Sequence, residues 1–152
     1  MNRMFLSMAL GLGLGAAYSL PAYSQAKPET LVKQRQAAMT LQGKYFGPMN
    51  AMAQGKIPYD AGVVTRNAGY LDALSRMPWD GFAPSTKGEK SAALPAVFTD
   101  AGKFKEAQDR FQAEVTKLAS VAKGGDEASV KAQISTVNKQ CAACHEDFRE
   151  KR

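Results

Sequence analysis

The chain has 152 residues, of which 45% are hydrophobic, 22% charged and 9% aromatic, and its formal net charge at pH 7 is +6. This is the composition of a single globular domain, and it excludes a disordered tail, a collagen-like repeat and a disulfide-dense mini-protein. Two cysteines cannot build a disulfide framework, and one histidine cannot build a multi-histidine metal site. Basic and acidic residues are interspersed, so the positive charge indicates solubility rather than binding to nucleic acid.

Residues 1–24 have the pattern of a secretory signal peptide: a cationic start, an apolar run over residues 4–17, and small residues before the cleavage site. The apolar run is shorter than the ~20 residues that a membrane-spanning helix needs. We therefore predict cleavage before Gln25 and a mature domain, residues 25–152, that is free of the membrane. Its expected location is the bacterial periplasm, where free thiols tend to oxidise. The two cysteines therefore require a disulfide, a metal or a covalent cofactor.

Four segments show helical periodicity, and none shows sustained strand alternation. The predicted helices cover residues 28–53, 60–77, 100–123 and 127–149. The predicted N-cap residues are Asp60, Asp100 and Asp126. The pair Gly47-Pro48 is expected to kink or break the first helix late. The long connection between the second and third helices is expected to hold a helical turn near residues 94–98.

Each predicted helix carries an apolar stripe that it must bury against the others. Four such helices predict an all-α fold, a left-twisted antiparallel four-helix bundle. The predicted inner face of the second helix includes Tyr70 and Leu71. The stripe of the last helix includes Val130, Ile134 and Val137 and ends at Cys141, Cys144, His145 and Phe148. Arg35 and Met39, one turn apart on the stripe of the first helix, are out of place in a plain core. An arginine on a buried face requires an anion.

The last predicted helix contains Cys141-Ala142-Ala143-Cys144-His145, and Cys-x-x-Cys-His is the attachment motif for c-type haem. Residues i and i+3 of a helix project to one side, so both thiols can add to the two haem vinyl groups. The next residue, His145, is then placed to give a neutral imidazole nitrogen to the iron. Covalent attachment consumes both thiols and explains how they survive in an oxidising compartment.

The alternatives for this motif are a redox-active thiol pair, a chance disulfide and a zinc site. A redox Cys-x-x-Cys normally begins a helix after a strand, where the helix N-terminus lowers a thiol pKa, whereas this motif lies deep in the last helix. A structural zinc ion needs four protein ligands, and the chain has no further cysteine or histidine. The motif therefore predicts one haem c per chain. With a single histidine, the sixth iron position is left to a methionine, a less usual ligand, or nothing.

The placement of the motif, near the chain end on the last of four predicted helices, resembles cytochrome c prime, the class II c-type cytochromes. Further matches are Phe148-Arg149 after the motif, Arg35-Gln36 on the first helix and Pro78-Trp79 after the second. The resemblance covers nearly the whole mature chain. It implies a homodimer of four-helix bundles with high-spin iron held by His145 alone. It also implies binding of nitric oxide and carbon monoxide, and electron transfer with an unidentified redox partner.

The resemblance assigns roles to three further residues. Met39 closes the distal face of the haem, Arg35 pairs with a haem propionate, and Arg149 lies beside the proximal face. The pattern of residues agrees in part, because Arg35 and Met39 share the buried stripe of the first helix. Arg149 stands four residues after His145 and is expected on the same helix face, although a cation at a helix C-terminus is also favoured by the helix dipole.

Met39 leaves two functions open. As apolar packing over an open iron, it predicts a gas-binding protein; as a thioether ligand, it predicts a low-spin electron carrier. An enzyme such as a peroxidase is not expected, because that chemistry uses a distal acid–base group, and the chain has no second histidine. A purely structural bundle would leave the motif without a role.

Overall fold

The computed structural model describes residues 26–151, and the predicted signal peptide at residues 1–24 lies outside them. The described chain forms five α-helices: α1 (Pro28–Ala53), α2 (Ala61–Leu74), α3 (Ala96–Thr99), α4 (Ala101–Val121) and α5 (Glu127–Phe148). Two 3₁₀ turns, Trp79–Phe82 and Pro84–Thr86, precede α3. Extended pairing within residues 26–151 is limited to an isolated bridge between Ala93 and Arg149. None of the described helices has the length and hydropathy of a membrane span.

The four long helices form a closed ring of neighbours, in which α1 packs on α2, α2 on α4, α4 on α5 and α5 on α1. Short connections join α1 to α2 and α4 to α5, as in antiparallel neighbours of a bundle. The buried core cluster consists of Met49, Met52, Val64, Ala68, Leu71, Phe111, Val115, Leu118, Val130, Ile134 and Val137. The predicted all-α four-helix bundle is confirmed, and α3 is the helical turn expected near residues 94–98.

Two of the three predicted N-caps are confirmed. The carboxylate of Asp60 accepts from the Val63 amide at 2.9 Å, and that of Asp126 accepts from the Ser129 amide at 2.9 Å. Asp100 precedes α4, but its side chain makes no capping hydrogen bond. Its backbone angles, φ −111° and ψ 43°, differ from the extended conformation of Asp60 and Asp126. Asp100 therefore stands at the predicted N-cap position of α4 but does not cap the helix, because a capping bond needs that extended backbone as well as a carboxylate.

Replacing Asp60 by alanine is expected to lower the free energy of unfolding by about 1 kcal/mol, because the Val63 amide loses its acceptor at the start of α2. Asp100→Ala is the matched control, since it removes a carboxylate from the same place on a helix without removing a capping bond. Denaturant unfolding of the purified protein measures both variants. Equal losses of stability would contradict the capping role of Asp60.

Two helix ends differ from the prediction. The helix α1 continues through Pro48 to Ala53 instead of breaking, because Gly47 and Pro48 are exposed and water can satisfy the carbonyl that proline leaves unpaired. The helix α2 ends at Leu74 rather than residue 77. The carbonyl oxygen of Ser75 accepts from the Trp79 indole at 2.6 Å and from the Gln112 amide at 3.1 Å. The amides of Arg76 and Met77 bond three residues back, to the carbonyl oxygens of Ala73 and Leu74, so the chain leaves α2 through a tight turn before Pro78.

Candidate functional site

A cavity of about 490 Å³ opens between α1, the turn Trp79–Phe82, the start of α4 and the end of α5. Its volume lies within the roughly 300–1,000 Å³ range of small-molecule and cofactor sites. The cavity is lined by Arg35, Gln36, Met39, Thr40, Gly43, Trp79, Phe82, Ser91, Ala92, Ala93, Phe104, Cys144, Phe148 and Arg149. These lining residues include no carboxylate and no histidine. Their aromatic rings and two arginines suit a large apolar group that carries negative charge.

Four aromatic side chains form one wall of the cavity. The ring centroid of Phe104 lies 4.8 Å from that of Phe82, 5.2 Å from that of Phe148 and 6.0 Å from that of Trp79. These edge-to-face contacts are favourable aromatic geometry. The hydrogen bond from the Trp79 indole to Ser75 fixes the wall to the end of α2. The wall is therefore held in place by contacts within the protein.

Arg35 is buried, with 4% of its surface exposed. Its guanidinium donates to the carbonyl oxygen of Gly81 and lies 4.4 Å from the ring centroid of Phe82. It takes part in none of the ion pairs within residues 26–151. Burial lowers the pKa of Arg35 from its ordinary value. A buried guanidinium has five donors and is costly without a counter-charge, so the cavity is suited to an anionic group beside Arg35.

Gly81 is a functional residue that sequence reasoning missed. A methyl group at this position would lie 2.7 Å from the carbonyl oxygen of Leu31 and against the side chain of Arg35. The absence of a side chain lets the turn approach α1 closely enough for Arg35 to reach the Gly81 carbonyl. The hydroxyl of Thr86 donates to the same carbonyl at 3.2 Å. In the sequence, the only signal was a glycine in the connection after Trp79. The contact between this glycine and α1 can be seen only in the folded structure.

Met39 lies one turn after Arg35 on α1, is half-buried and lines the cavity. The other methionines of the predicted mature domain are elsewhere. Met49 and Met52 are buried in the bundle core, and Met77 is 59% exposed. Among these four, only Met39 brings a thioether to the cavity wall.

Cys141 and Cys144 lie one turn apart on α5, and both are half-buried free thiols. Cys144 lines the cavity, whereas Cys141 packs against the core cluster. Desolvation by burial raises the pKa of Cys141 to about 11, with a further contribution from Cys144. Burial also raises the pKa of Cys144, and nearby Asp147 adds to this. Redox-active thiols have lowered pKa values, so this environment argues against a thioredoxin-like pair.

His145 lines a second, more open cleft next to the cavity, together with Ala142, Glu146, Arg149, Glu150 and Lys151. Its side chain is exposed, so the prediction that it belongs to the buried stripe is wrong at this residue. Partial desolvation of the ring lowers the pKa of His145, and the positive charge of Arg149 lowers it further. Both effects favour the neutral imidazole, which is the form that ligates metal ions.

Arg149 lies beside both spaces, because it lines the cavity and also the His145 cleft. It does not reach this position by sharing a helix face with His145, as the spacing predicted. The helix α5 ends at Phe148, and Arg149 is extended, with φ −132° and ψ 139°. The prediction of a shared helix face is therefore wrong, although Arg149 is close enough to His145 to influence its pKa.

The cavity thus brings together Arg35, Met39, Cys144 and Arg149 from three parts of the chain. His145 lines the neighbouring cleft, whereas Cys141, one turn before Cys144 on α5, packs against the core and is in neither lining. Within residues 26–151, no group of three or more His, Cys, Asp and Glu side chains is arranged to hold a metal ion. Two thiols one turn apart, a neighbouring imidazole and a ligand-sized cavity with an unpaired buried arginine fit a covalently bound haem.

The fold and this donor set define a c-type haem protein built on a four-helix bundle. The family model of cytochrome c prime matches residues 30–149, and the chain belongs to the cytochrome c prime family. Its cofactor is haem c, as the motif predicted. The cytochrome c prime of Rubrivivax gelatinosus is 44% identical over 126 residues, covering 82% of this chain and 98% of that protein.

Solved structures agree with this assignment. The crystal structure of the Rubrivivax gelatinosus protein has a TM-score of 0.78 at 43% identity, covering 82% of this chain and 98% of that one. A ferrous variant of cytochrome c prime from Alcaligenes xylosoxidans with bound nitric oxide has a TM-score of 0.76 at 39% identity. This match covers 84% of the present chain and 98% of the other.

Proposed function

We propose that the protein is a periplasmic cytochrome c prime that binds small gases at a five-coordinate haem iron and takes part in electron transfer. The observation that carries this proposal is the composition of the cavity. The lining contains no histidine and no carboxylate. Apart from the thiol of Cys144, which haem attachment would consume, only the thioether of Met39 could compete with a gas for the sixth iron position. The nitric oxide complex of the Alcaligenes xylosoxidans relative supports the same function.

In this proposal Cys141 and Cys144 hold the haem through two thioether bonds, and His145 is the only protein ligand of the iron. The thiols lie one turn apart on α5, as the i, i+3 spacing of a helix requires. The bound haem supplies an iron that changes oxidation state and accepts a small neutral ligand. The neutral form of His145, which its surroundings favour, is ready to ligate without losing a proton.

The two faces of the haem would meet different surroundings. Met39 lines the cavity, and His145 lines the neighbouring cleft. Arg149 borders both spaces, which supports its placement beside the proximal face. Arg35 would form a bidentate pair with a haem propionate, since its buried guanidinium has no ion-pair partner in residues 26–151.

The remaining assignments rest on sequence and surface features. The leader at residues 1–24 supports export to the periplasm with cleavage before Gln25. Exposed apolar side chains support a homodimer through α1 and α2, since Leu41 is 40% exposed and Tyr70, which was predicted to face the core, is 48% exposed. A cavity lining without histidine or carboxylate supports a carrier or ligand-binding protein rather than a peroxidase.

A second function, a low-spin electron carrier, is favoured by one observation: Met39 lies where a sixth ligand would come from. Absorption and EPR spectra of the ferric and ferrous protein, with and without carbon monoxide, distinguish the two. We expect a high-spin spectrum that shifts when carbon monoxide is added. A low-spin ferric signal with a sulfur–iron charge-transfer band and no response to the gas would establish Met39 ligation and refute the gas-binding proposal.

A further inference from the structure

Two backbone hydrogen bonds tie the end of the chain to the loop before α3. The amide of Leu94 donates to the carbonyl oxygen of Phe148 at 3.0 Å, and the amide of Glu150 donates to the carbonyl oxygen of Ala92 at 2.9 Å. We call this pair of contacts the C-terminal bridge. The last residues of a chain normally fray unless such contacts hold them. Here they are held at the border of the cavity.

Ala93 and Arg149 lie opposite each other between these two bonds. They form a non-hydrogen-bonded antiparallel pair, in which opposing side chains project to the same face and lie close together. Both residues line the cavity. The short side chain of Ala93 leaves room on that face for the long side chain of Arg149.

The direction of the Arg149 side chain therefore depends on its backbone. Its guanidinium takes part in none of the ion pairs within residues 26–151. The amide of Arg149 donates to the carbonyl oxygen of His145 at 3.2 Å, at the end of α5, but its own backbone angles are extended. The bridge is the contact beyond α5 that pairs this extended backbone with the loop before α3, at the border of the cavity.

We propose that the C-terminal bridge is a positioning device for Arg149, with Ala93 and the amide of Glu150 as its positioning groups. It holds the guanidinium at the border between the cavity and the His145 cleft. This inference rests on the proposed role of Arg149 beside the haem. It adds that Arg149 fulfils that role only while its backbone is paired with a loop more than fifty residues earlier in the chain.

Glu150→Pro in the holo-protein tests the proposal, because proline removes the amide that donates to Ala92. The residue before a proline must be extended, and Arg149 already is, so the substitution deletes one bond without imposing a new backbone there. Glu150→Ala is the matched control, since it keeps the amide and removes the same side chain, which lines the His145 cleft. Haem content and thermal midpoint are measured first, and both variants are expected to match the parent protein.

The readouts are the nitric oxide release rate and the ratio of five- to six-coordinate ferrous nitrosyl haem. Arg149→Ala is expected to change the release rate by about tenfold, which corresponds to one charged contact. Glu150→Pro should change it in the same direction by at least about threefold beyond any change in Glu150→Ala, which removes the same carboxylate from the His145 cleft. In the Arg149→Ala background, Glu150→Pro should have no further effect, because non-additivity marks residues that act as a unit.

The outcomes separate the two proposals. If Arg149→Ala changes the release rate and Glu150→Pro does not, the positioning proposal is wrong while the role of Arg149 stands. If Glu150→Pro has the same effect on the release rate with and without Arg149, the positioning proposal is also wrong, because the bridge would then affect nitric oxide release independently of Arg149. If Arg149→Ala changes nothing, both the role and its positioning fail. Fast hydrogen exchange of the Leu94 and Glu150 amides would refute the bridge itself.

Discussion

A chain in which both Cys141 and Cys144 are replaced by alanine is expected to lose all covalent haem. The two half-buried thiols are the only cysteines in the sequence, so no other side chain can form a thioether bond. The haem of the parent protein should survive denaturing electrophoresis and stain on the gel, and the double variant should show none. We expect each single variant to retain one thioether and to shift the reduced pyridine haemochrome band.

The same double variant is expected to be less stable. The cavity of about 490 Å³ lies among four aromatic rings and two arginines, and without bound haem these groups lose both packing and a counter-charge. Loss of a tight ligand removes its whole binding contribution from folding, and we expect the thermal midpoint to fall by roughly 10 °C or more.

Ala142→Ser is the matched control for this experiment. It changes an exposed residue between the two cysteines and keeps both thiols, so haem content and thermal midpoint should equal those of the parent protein. Haem that remains attached after denaturation of the double variant would contradict the assigned attachment. A double variant as stable as the parent would show that the bundle does not need the haem to fold.

The placement of two thiols and an imidazole together on the last helix could be predicted from sequence because its geometry is local. The spacing of Cys141, Cys144 and His145 determines their placement on one helix, whatever surrounds that helix. The bundle followed from periodicity for the same reason, since each apolar stripe is a property of its own segment. Asp60 and Asp126 were recognised as caps because the amides that they accept lie three residues away.

The errors arose where a distant part of the chain determines the local structure. At the end of α2, the carbonyl oxygens of Leu74 and Ser75 accept from the side chains of Gln42 and Gln112, which lie on other helices. The early end of α5 and the extended Arg149 accompany pairing with the loop before α3. Arg35 was expected on a buried face, but its contact with Gly81 depends on how the turn packs on α1. Periodicity contains no information about such contacts, so predicting them requires the folded chain.

Replacing Met39 by alanine is expected to accelerate carbon monoxide binding to the ferrous protein by roughly tenfold to a hundredfold. Met39 is the only methionine of the predicted mature domain that lines the cavity, and under the proposed function a ligand would have to displace it to reach the iron. Each tenfold gain in rate corresponds to about 1.4 kcal/mol of barrier, which is a modest part of the contacts that a large apolar side chain makes. Stopped-flow mixing with carbon monoxide measures the association rate directly.

Two further variants identify why Met39 matters. Met39→Leu keeps an apolar side chain of similar volume and removes the thioether, so steric gating predicts a rate within about threefold of the parent protein. If Met39 instead ligated the iron, Met39→Leu would convert a low-spin spectrum to a high-spin one and accelerate binding as strongly as Met39→Ala.

Met77→Ala is the control variant, at a site that is 59% exposed, and it should leave both rate and spectrum unchanged. Because volume and sulfur are varied separately, unchanged rates in both Met39 variants would exclude the gate and the ligand together.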